Sequence, residues 1–221
     1  MRISMNTWTG AIAGAAIVAI GAHYLAFPLL HWIAKPLATL LIVGMALSAA
    51  TDESMYRRWI VIGLLWSTLG DVFLMLPGDY FLHGLLSFLV AHIAYLVAFT
   101  RRERLFVRLA PFAGYALLAV LVLAYLWAGI PAPMRIPVLI YVLALGAMAA
   151  QAAAIWRIRG DRVSALAALG GALFMFSDSL IAINRFGEPF AASRVLVLAS
   201  YWLAQWLIAR SIGSRVNDRS R

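Results

Sequence analysis

Apolar residues in this chain gather into eight successive runs, at about 8–27, 33–50, 59–76, 81–100, 105–129, 134–156, 163–183 and 194–212. Each is near the roughly 20 residues that a helix needs to cross a hydrocarbon core of about 30 Å. The composition agrees: 64% of residues are hydrophobic, only 12% are charged, and the mean hydropathy is +0.90. That apolar share is well above that of an ordinary soluble domain. The expected fold class is therefore all-α: a polytopic integral membrane protein of eight transmembrane helices, forming a single domain over residues 1–221. The connections are short, so sequential helices should pack as antiparallel neighbours. No linker, low-complexity tract or soluble domain is visible.

The first run needs separate treatment, because Arg2 followed by an apolar stretch also suits a signal peptide. At about 20 residues it is longer than a usual signal core, and its charge pattern fits the rest of the bundle, so it is read as a retained first helix. Gly10 and Gly14 form a GxxxG step there, which permits close helix contact. The absence of cysteine excludes disulfides, thiolate metal sites and a cysteine nucleophile. A net charge of +9 in so apolar a chain reflects basic loops held against anionic headgroups rather than a nucleic-acid partner. Trp8, Trp32, Trp59, Trp127 and Trp156 lie near run ends, where interfacial belts form.

Basic residues alternate sharply between loops. Arg2, Arg57, Arg58, Arg101, Arg102, Arg104, Arg108, Arg157, Arg159, Arg162, Arg210, Arg215, Arg219 and Arg221 make 14 on one side, against 4 on the other, Lys35, Arg135, Arg185 and Arg194. The positive-inside rule then expects both termini in the cytoplasm. Only an even number of crossings preserves this separation, so charge supports eight helices independently of hydropathy.

Within this frame two carboxylates stand out. Asp71 lies in the run WSTLGDVFLMLPGDY, and Asp178 in ALGGALFMFSDSLIAINRF, a weaker echo of the first. An ionisable group at membrane depth costs roughly 2.5–3.5 kcal/mol on insertion scales, so it usually faces a protein interior or a watery cavity. Both aspartates are expected about five residues before the outer helix end, roughly 8 Å below that boundary. Ser67 shares a helix face with Asp71. Gly84, Phe88, His92 and Tyr95 form one stripe, and Arg194, Leu198, Tyr201 and Gln205 another. Such facing stripes enclose a polar pocket opening toward the outer half of the bilayer.

Each residue also has a plainer reading. Asp71 caps a break near Gly70 or pairs with an arginine to hold the bundle, and Asp178 pairs with Arg185, two turns away. His92 is a hydrogen-bonded interior histidine. His23, His31 and His83 lie near helix ends and read as interfacial. Lys35, the sole lysine, either meets a lipid phosphate or snorkels.

Taken together, these residues resemble the YhhN-like family of membrane lysoplasmalogenases. The resemblance rests on Lys35-Pro36-Leu37, on Ser67 with Gly70-Asp71, and on Phe81, Gly84, Phe88, His92 and Tyr95. It continues through Gly171-Ala172 with Phe174, Ser177-Asp178 and Phe186, then Tyr201, Gln205 and Leu207-Ile208. It covers most of the chain from the second helix onward; the first, fifth and sixth helices match in hydropathy alone.

The resemblance implies an eight-helix hydrolase, in a bacterial inner (plasma) membrane, that cleaves the sn-1 vinyl ether of a lysoplasmalogen. The products are a fatty aldehyde and glycerophosphoethanolamine or glycerophosphocholine. Asp71 and Asp178 are then the catalytic pair, one donating a proton and the other stabilising the cation and activating water, with the assignment open. His92, Tyr95, Tyr201 and Gln205, with Ser67, orient water or the glycerol hydroxyl, and Lys35 holds the phosphate. No cofactor and no metal are expected: HExxH is absent, and no two histidines are spaced i,i+3 or i,i+4. The partners are then the lysophospholipid substrate and membrane lipids. The rival readings are a hydrolase of another lysolipid, or a transporter or lipid-binding protein whose aspartates carry protons or cations.

Overall fold

The computed structural model describes residues 3–213. They form eight α-helices: α1 Met5–Tyr24, α2 Pro28–Ser48, α3 Ser54–Met75, α4 Phe81–Thr100, α5 Leu109–Leu126, α6 Ala132–Arg159, α7 Arg162–Phe186 and α8 Ser193–Arg210. A single 3-10 turn, Trp127–Gly129, follows α5. Seven helices are long and apolar enough to cross a membrane. The eighth, α8, is not, because Arg194, Ser200, Gln205 and Arg210 dilute its apolar residues. It needs less lipid-facing apolarity than the others, since it packs on α7, α2, α1 and α3 in the middle of the bundle. The opposite case is α5, which buries only Leu126 and presents Leu117, Val120 and Leu121 outward. An apolar face of that size is stable only against lipid or another protein. The chain is an all-α polytopic membrane protein.

Local chemistry explains where the helices start and stop. α2 begins at Pro28, about five residues ahead of its expected apolar run, because proline at the first helical position lacks only an N–H that has no partner there anyway. α6 runs on to Arg159 and ends at Gly160, whose φ of +64° is the left-handed cap that glycine adopts without strain. Asp161 then caps α7, accepting a hydrogen bond from the Ser164 N–H at 2.7 Å.

Close packing sets the register between α3 and α4. A Cβ added at Gly63 would lie 2.3 Å from the Tyr95 ring, and one at Gly70 would lie 2.6 Å from Phe88. These glycines let two aromatic rings of α4 lie flat on the α3 backbone. Gly10 and Gly14 do no such work, since an added Cβ would meet nothing within 4 Å at either. The close α1–α2 contact forms instead at Gly44, under the ring of Trp8.

One end of the bundle is laced by arginines. Arg102 reaches Glu53 with Nε at 2.9 Å, donates to the Ser211 carbonyl at 2.9 Å, and lies 3.5 Å over the Tyr56 ring. Arg159 pairs with Glu103 at 2.9 Å, and Gln151 ties α6 to the same loop through the Glu103 carbonyl. Met5, Arg162, Arg210 and Gly213 line one recess at this end. Both ends of the described chain thus lie on the side of the basic loops, as an even number of crossings requires. Arg2, Arg215, Arg219 and Arg221 lie outside the described residues.

Candidate active site

Asp71 sits in the last turns of α3 with only 2% of its surface exposed. Two helices, α2 and α8, converge on it. Lys35 of α2 makes an ion pair, Nζ to Oδ1 at 3.1 Å. Thr39, one turn further along α2, donates to Oδ2 at 3.2 Å, and Tyr201 of α8 donates to the same oxygen at 2.7 Å. The i,i+4 spacing on α2 delivers a charge and a hydroxyl to one carboxylate. Pro36 lies between them and cannot donate to the Trp32 carbonyl four residues back, which loosens the turn that presents Lys35.

Asp178 of α7 has a different set of partners. Tyr141 of α6 donates a short hydrogen bond to Asp178 Oδ2. His92 of α4 approaches both, with Nε2 at 3.3 Å from that oxygen and 3.0 Å from the Tyr141 hydroxyl. Because the tyrosine proton goes to the carboxylate, the His92 ring must donate from Nε2. Its Nδ1 is buried with no partner among the described residues. Buried polar atoms are normally satisfied, so this nitrogen marks a place for a water or a ligand hydroxyl.

The two helix pairs thus exchange partners. The aspartate of α3–α4 is held by a tyrosine of α8, and the aspartate of α7–α8 by a histidine of α4. Tyr95 of α4 closes the arrangement by donating to Gln205 of α8 at 2.6 Å. Between the carboxylates lies an aromatic partition: Phe174 packs edge-on against both His92 and Tyr201, at centroid distances of 4.6 and 5.6 Å, and Phe88 meets Tyr201 at 5.8 Å. Edge-to-face contacts of this kind hold rings firmly in place.

Each carboxylate lines its own space. Asp71 and Tyr201 form part of the wall of a polar cavity of about 420 Å³, with Lys35, His23, His31 and Arg194. Asp178 and Tyr141 line a narrow apolar crevice among α4, α5, α6 and α7, with Leu85, Val122, Val142 and Met175. Leu74, Phe81, Phe88 and Ile181 belong to both walls, so cavity and crevice adjoin along a seam formed by these four side chains.

Several sequence expectations take a definite form here. The two facing stripes meet, through Phe88 with Tyr201 and Tyr95 with Gln205. The aspartates are not hydrogen-bonded into one network, however, and their depths differ. Asp71 lies four residues before Met75 and Asp178 eight before Phe186, or roughly 6 and 12 Å from their helix ends. The difference arises because α7 continues past its apolar run, carrying Arg185 out to Asp79 at 2.6 Å. Arg185 therefore pairs with a turn residue and not with Asp178. Lys35, expected at the headgroup level, is buried beside Asp71. Sequence reasoning missed Thr39 and Tyr141. Thr39 was findable from its spacing to Lys35; Tyr141 stands in a helix that offered only hydropathy. Among the described residues no three His, Asp or Glu side chains are grouped as metal ligands are.

Comparison with known proteins places the chain. The model of the YhhN family matches residues 30–212, from α2 through the end of α8. The human protein named lysoplasmalogenase TMEM86A is 38% identical over 158 residues, which cover 69% of this chain and 64% of the human one. A protein of Mycobacterium bovis named lysoplasmalogenase is 31% identical over 195 residues, 83% of this chain and 72% of its own. The membrane protein YhhN of Escherichia coli O157:H7 is 25% identical over 203 residues, 91% of this chain and 96% of its own. The match thus spans just under two thirds of the human relative. No solved structure matches. With its family model spanning seven of the eight helices and both aspartates, this chain belongs to the YhhN family.

Proposed function

We propose that this protein is a hydrolase of a bacterial inner membrane that cleaves the sn-1 vinyl ether of a lysoplasmalogen, releasing a fatty aldehyde and a glycerophospho-alcohol such as glycerophosphoethanolamine or glycerophosphocholine. The observation that carries the reading is the seam between the polar cavity and the apolar crevice, with one carboxylate lining each. A lysolipid has the same division: a wet phosphodiester end, a long hydrocarbon chain, and the vinyl ether between them. The names of the mammalian and mycobacterial relatives support the same substrate class.

The residues fit the chemistry. A vinyl ether hydrolyses when its β-carbon is protonated, leaving an oxocarbenium ion on the α-carbon. Water adds to that carbon and gives up a proton, and the hemiacetal collapses to aldehyde and the glycerol hydroxyl. Asp178, held through Oδ2 by Tyr141 and His92 beside the crevice, is the proton donor in this reading, carrying its acid proton on Oδ1, since the alkenyl carbons belong with the chain. Asp71, paired with Lys35, is the anion that faces the developing cation and takes the proton of the attacking water. Ser67, Tyr95, Tyr201 and Gln205, with His92, hold the water and the free glycerol hydroxyl. The aspartate pair replaces a metal-bound water.

The test is release of fatty aldehyde by the purified protein in detergent, from a 1-alkenyl lysolipid and its saturated 1-alkyl analogue side by side. Aldehyde from the vinyl ether alone, undiminished by chelator, is the expected outcome. Loss of activity with chelator would refute the metal-free pair, and the absence of aldehyde would favour another lysolipid or a transport role.

A further inference from the structure

The polar cavity is lined by three cations, Lys35, Arg185 and Arg194, and one carboxylate, Asp71. Two of the three are matched: Lys35 is paired with Asp71 at 3.1 Å, and Arg185 with Asp79 at 2.6 Å. Arg194 makes no ion pair among the described residues. Its recorded partner is the His23 ring, with one guanidinium nitrogen against both ring nitrogens, Nδ1 at 3.2 Å. A guanidinium has donors only, and an imidazole carries no negative charge in either protonation state, so this contact does not balance the guanidinium. Arg194 is solvent-exposed, and no carboxylate of the described residues pairs with it.

Its position makes this more telling. Arg194 is the second residue of α8, where the helix macrodipole is positive and a cation is disfavoured. His31, the other histidine of the cavity, donates from Nδ1 to the Ala19 carbonyl at 2.8 Å and supplies no negative charge either. A guanidinium, a helix N-terminus and no anion, at the rim of the cavity that holds Asp71, make a receptor for a phosphate group.

We infer that Arg194, and not Lys35, binds the phosphodiester of the substrate, with His23 holding the guanidinium in place. The inference rests on the lysolipid reading above and adds the residue that selects phosphate-bearing substrates. Lys35 keeps a different task, as the counter-ion of Asp71. The same geometry also fits free phosphate, and the experiment separates the two sources.

The experiment compares wild-type protein with Arg194→Gln and Arg194→Lys on two substrates, a 1-alkenyl lysophospholipid and the phosphate-free 1-alkenylglycerol. Arg194→Gln should raise the KM for the phospholipid about ten- to a hundredfold relative to alkenylglycerol, the range of a lost charge-assisted hydrogen bond, with kcat much less affected. Arg194→Lys should recover part of the loss. Inhibition of the wild type by millimolar inorganic phosphate, absent in Arg194→Gln, would assign the site to phosphate generally, and its absence would assign it to the intact headgroup; both uphold the receptor. Equal damage to both substrates would make Arg194 a structural residue, and an unchanged KM ratio would remove it from binding; either overturns the inference. Binding of the non-hydrolysable 1-alkyl lysophospholipid to wild type and Arg194→Gln is measured in parallel. If the wild type released no aldehyde, the hydrolase reading would fail while weaker binding to Arg194→Gln still upheld the phosphate site.

Discussion

Replacing Lys35 by methionine isolates the energetics of the Asp71 cluster. The two side chains have similar length, so the change removes charge without opening a cavity. Asp71 is then left 2% exposed with only neutral partners, Thr39 at 3.2 Å and Tyr201 at 2.7 Å. Both bonds already exist in the wild type and cannot replace the ammonium. Removing one member of a buried ion pair costs about 3–5 kcal/mol. The polar cavity beside Lys35 gives the carboxylate some access to water, which points to the low end, about 3 kcal/mol. At about 2–4 °C per kcal/mol for a chain of this size, Tm should fall by roughly 6–12 °C. The double variant Lys35→Met/Asp71→Asn removes both charges and should recover most of that loss, because the amide oxygen still accepts from Tyr201 and Thr39. Thermal unfolding in detergent, followed by tryptophan fluorescence, would measure both singles and the double as one cycle. A Lys35→Met protein within about 2 °C of the wild type, or a double variant no better than the sum of its singles, would refute the reasoning.

Three further outcomes are expected. Gly63→Ala drives a methyl into the Tyr95 ring, so it should destabilise by about 1–3 kcal/mol in the same unfolding assay. Reporter fusions after Gly213 and within the Pro77–Asp79 turn should report opposite sides of the membrane, with Gly213 cytoplasmic, and agreement between them would break the eight-helix topology. The hydrogen bond from Arg185, aided by the Phe81 N–H, holds the exposed Asp79 carboxyl below the usual aspartate range. A depressed folded value means that its contribution is present above the unfolded value near 3.9 and is lost as pH falls through the folded one. Asp79→Asn should therefore lower Tm slightly at pH 7 and flatten its fall below about pH 4, with variant and wild type converging in acid.

The fold was legible because the bilayer reduces the problem to run lengths and loop charges. Both signals are one-dimensional, and eight apolar runs gave eight helices. The helix ends were less legible: Pro28 and the reach of Arg185 toward Asp79 extended α2 and α7 beyond their apolar stretches. The polar residues could be placed on helix faces by periodicity, which is why Phe88, Tyr95, Tyr201 and Gln205 were expected to meet. Periodicity does not say which helix lies opposite. The pairing of Asp71 with α8, and of Asp178 with α4, depends on the crossing of helices far apart in sequence, whereas α2 and α6 are the chain neighbours of α3 and α7. Tyr141 was hidden for another reason, as one hydroxyl in a helix that offered only hydropathy.

The central claim is that one carboxylate on each side of the seam carries the reaction. Its most direct test is the rate of fatty-aldehyde release from a 1-alkenyl lysolipid by purified Asp178→Asn and Asp71→Asn proteins beside the wild type. Asparagine matches aspartate in size but cannot give or take the proton, so each variant should lose about 10²–10⁴-fold in rate. Lys35→Met/Asp71→Asn controls for the charge that Asp71→Asn leaves unpaired, and should be no more active than Asp71→Asn. Combining Asp71→Asn with Asp178→Asn should be little worse than the worse single, because the two residues act as one unit. A folded Asp178→Asn or Asp71→Asn protein releasing aldehyde near the wild-type rate would contradict the account.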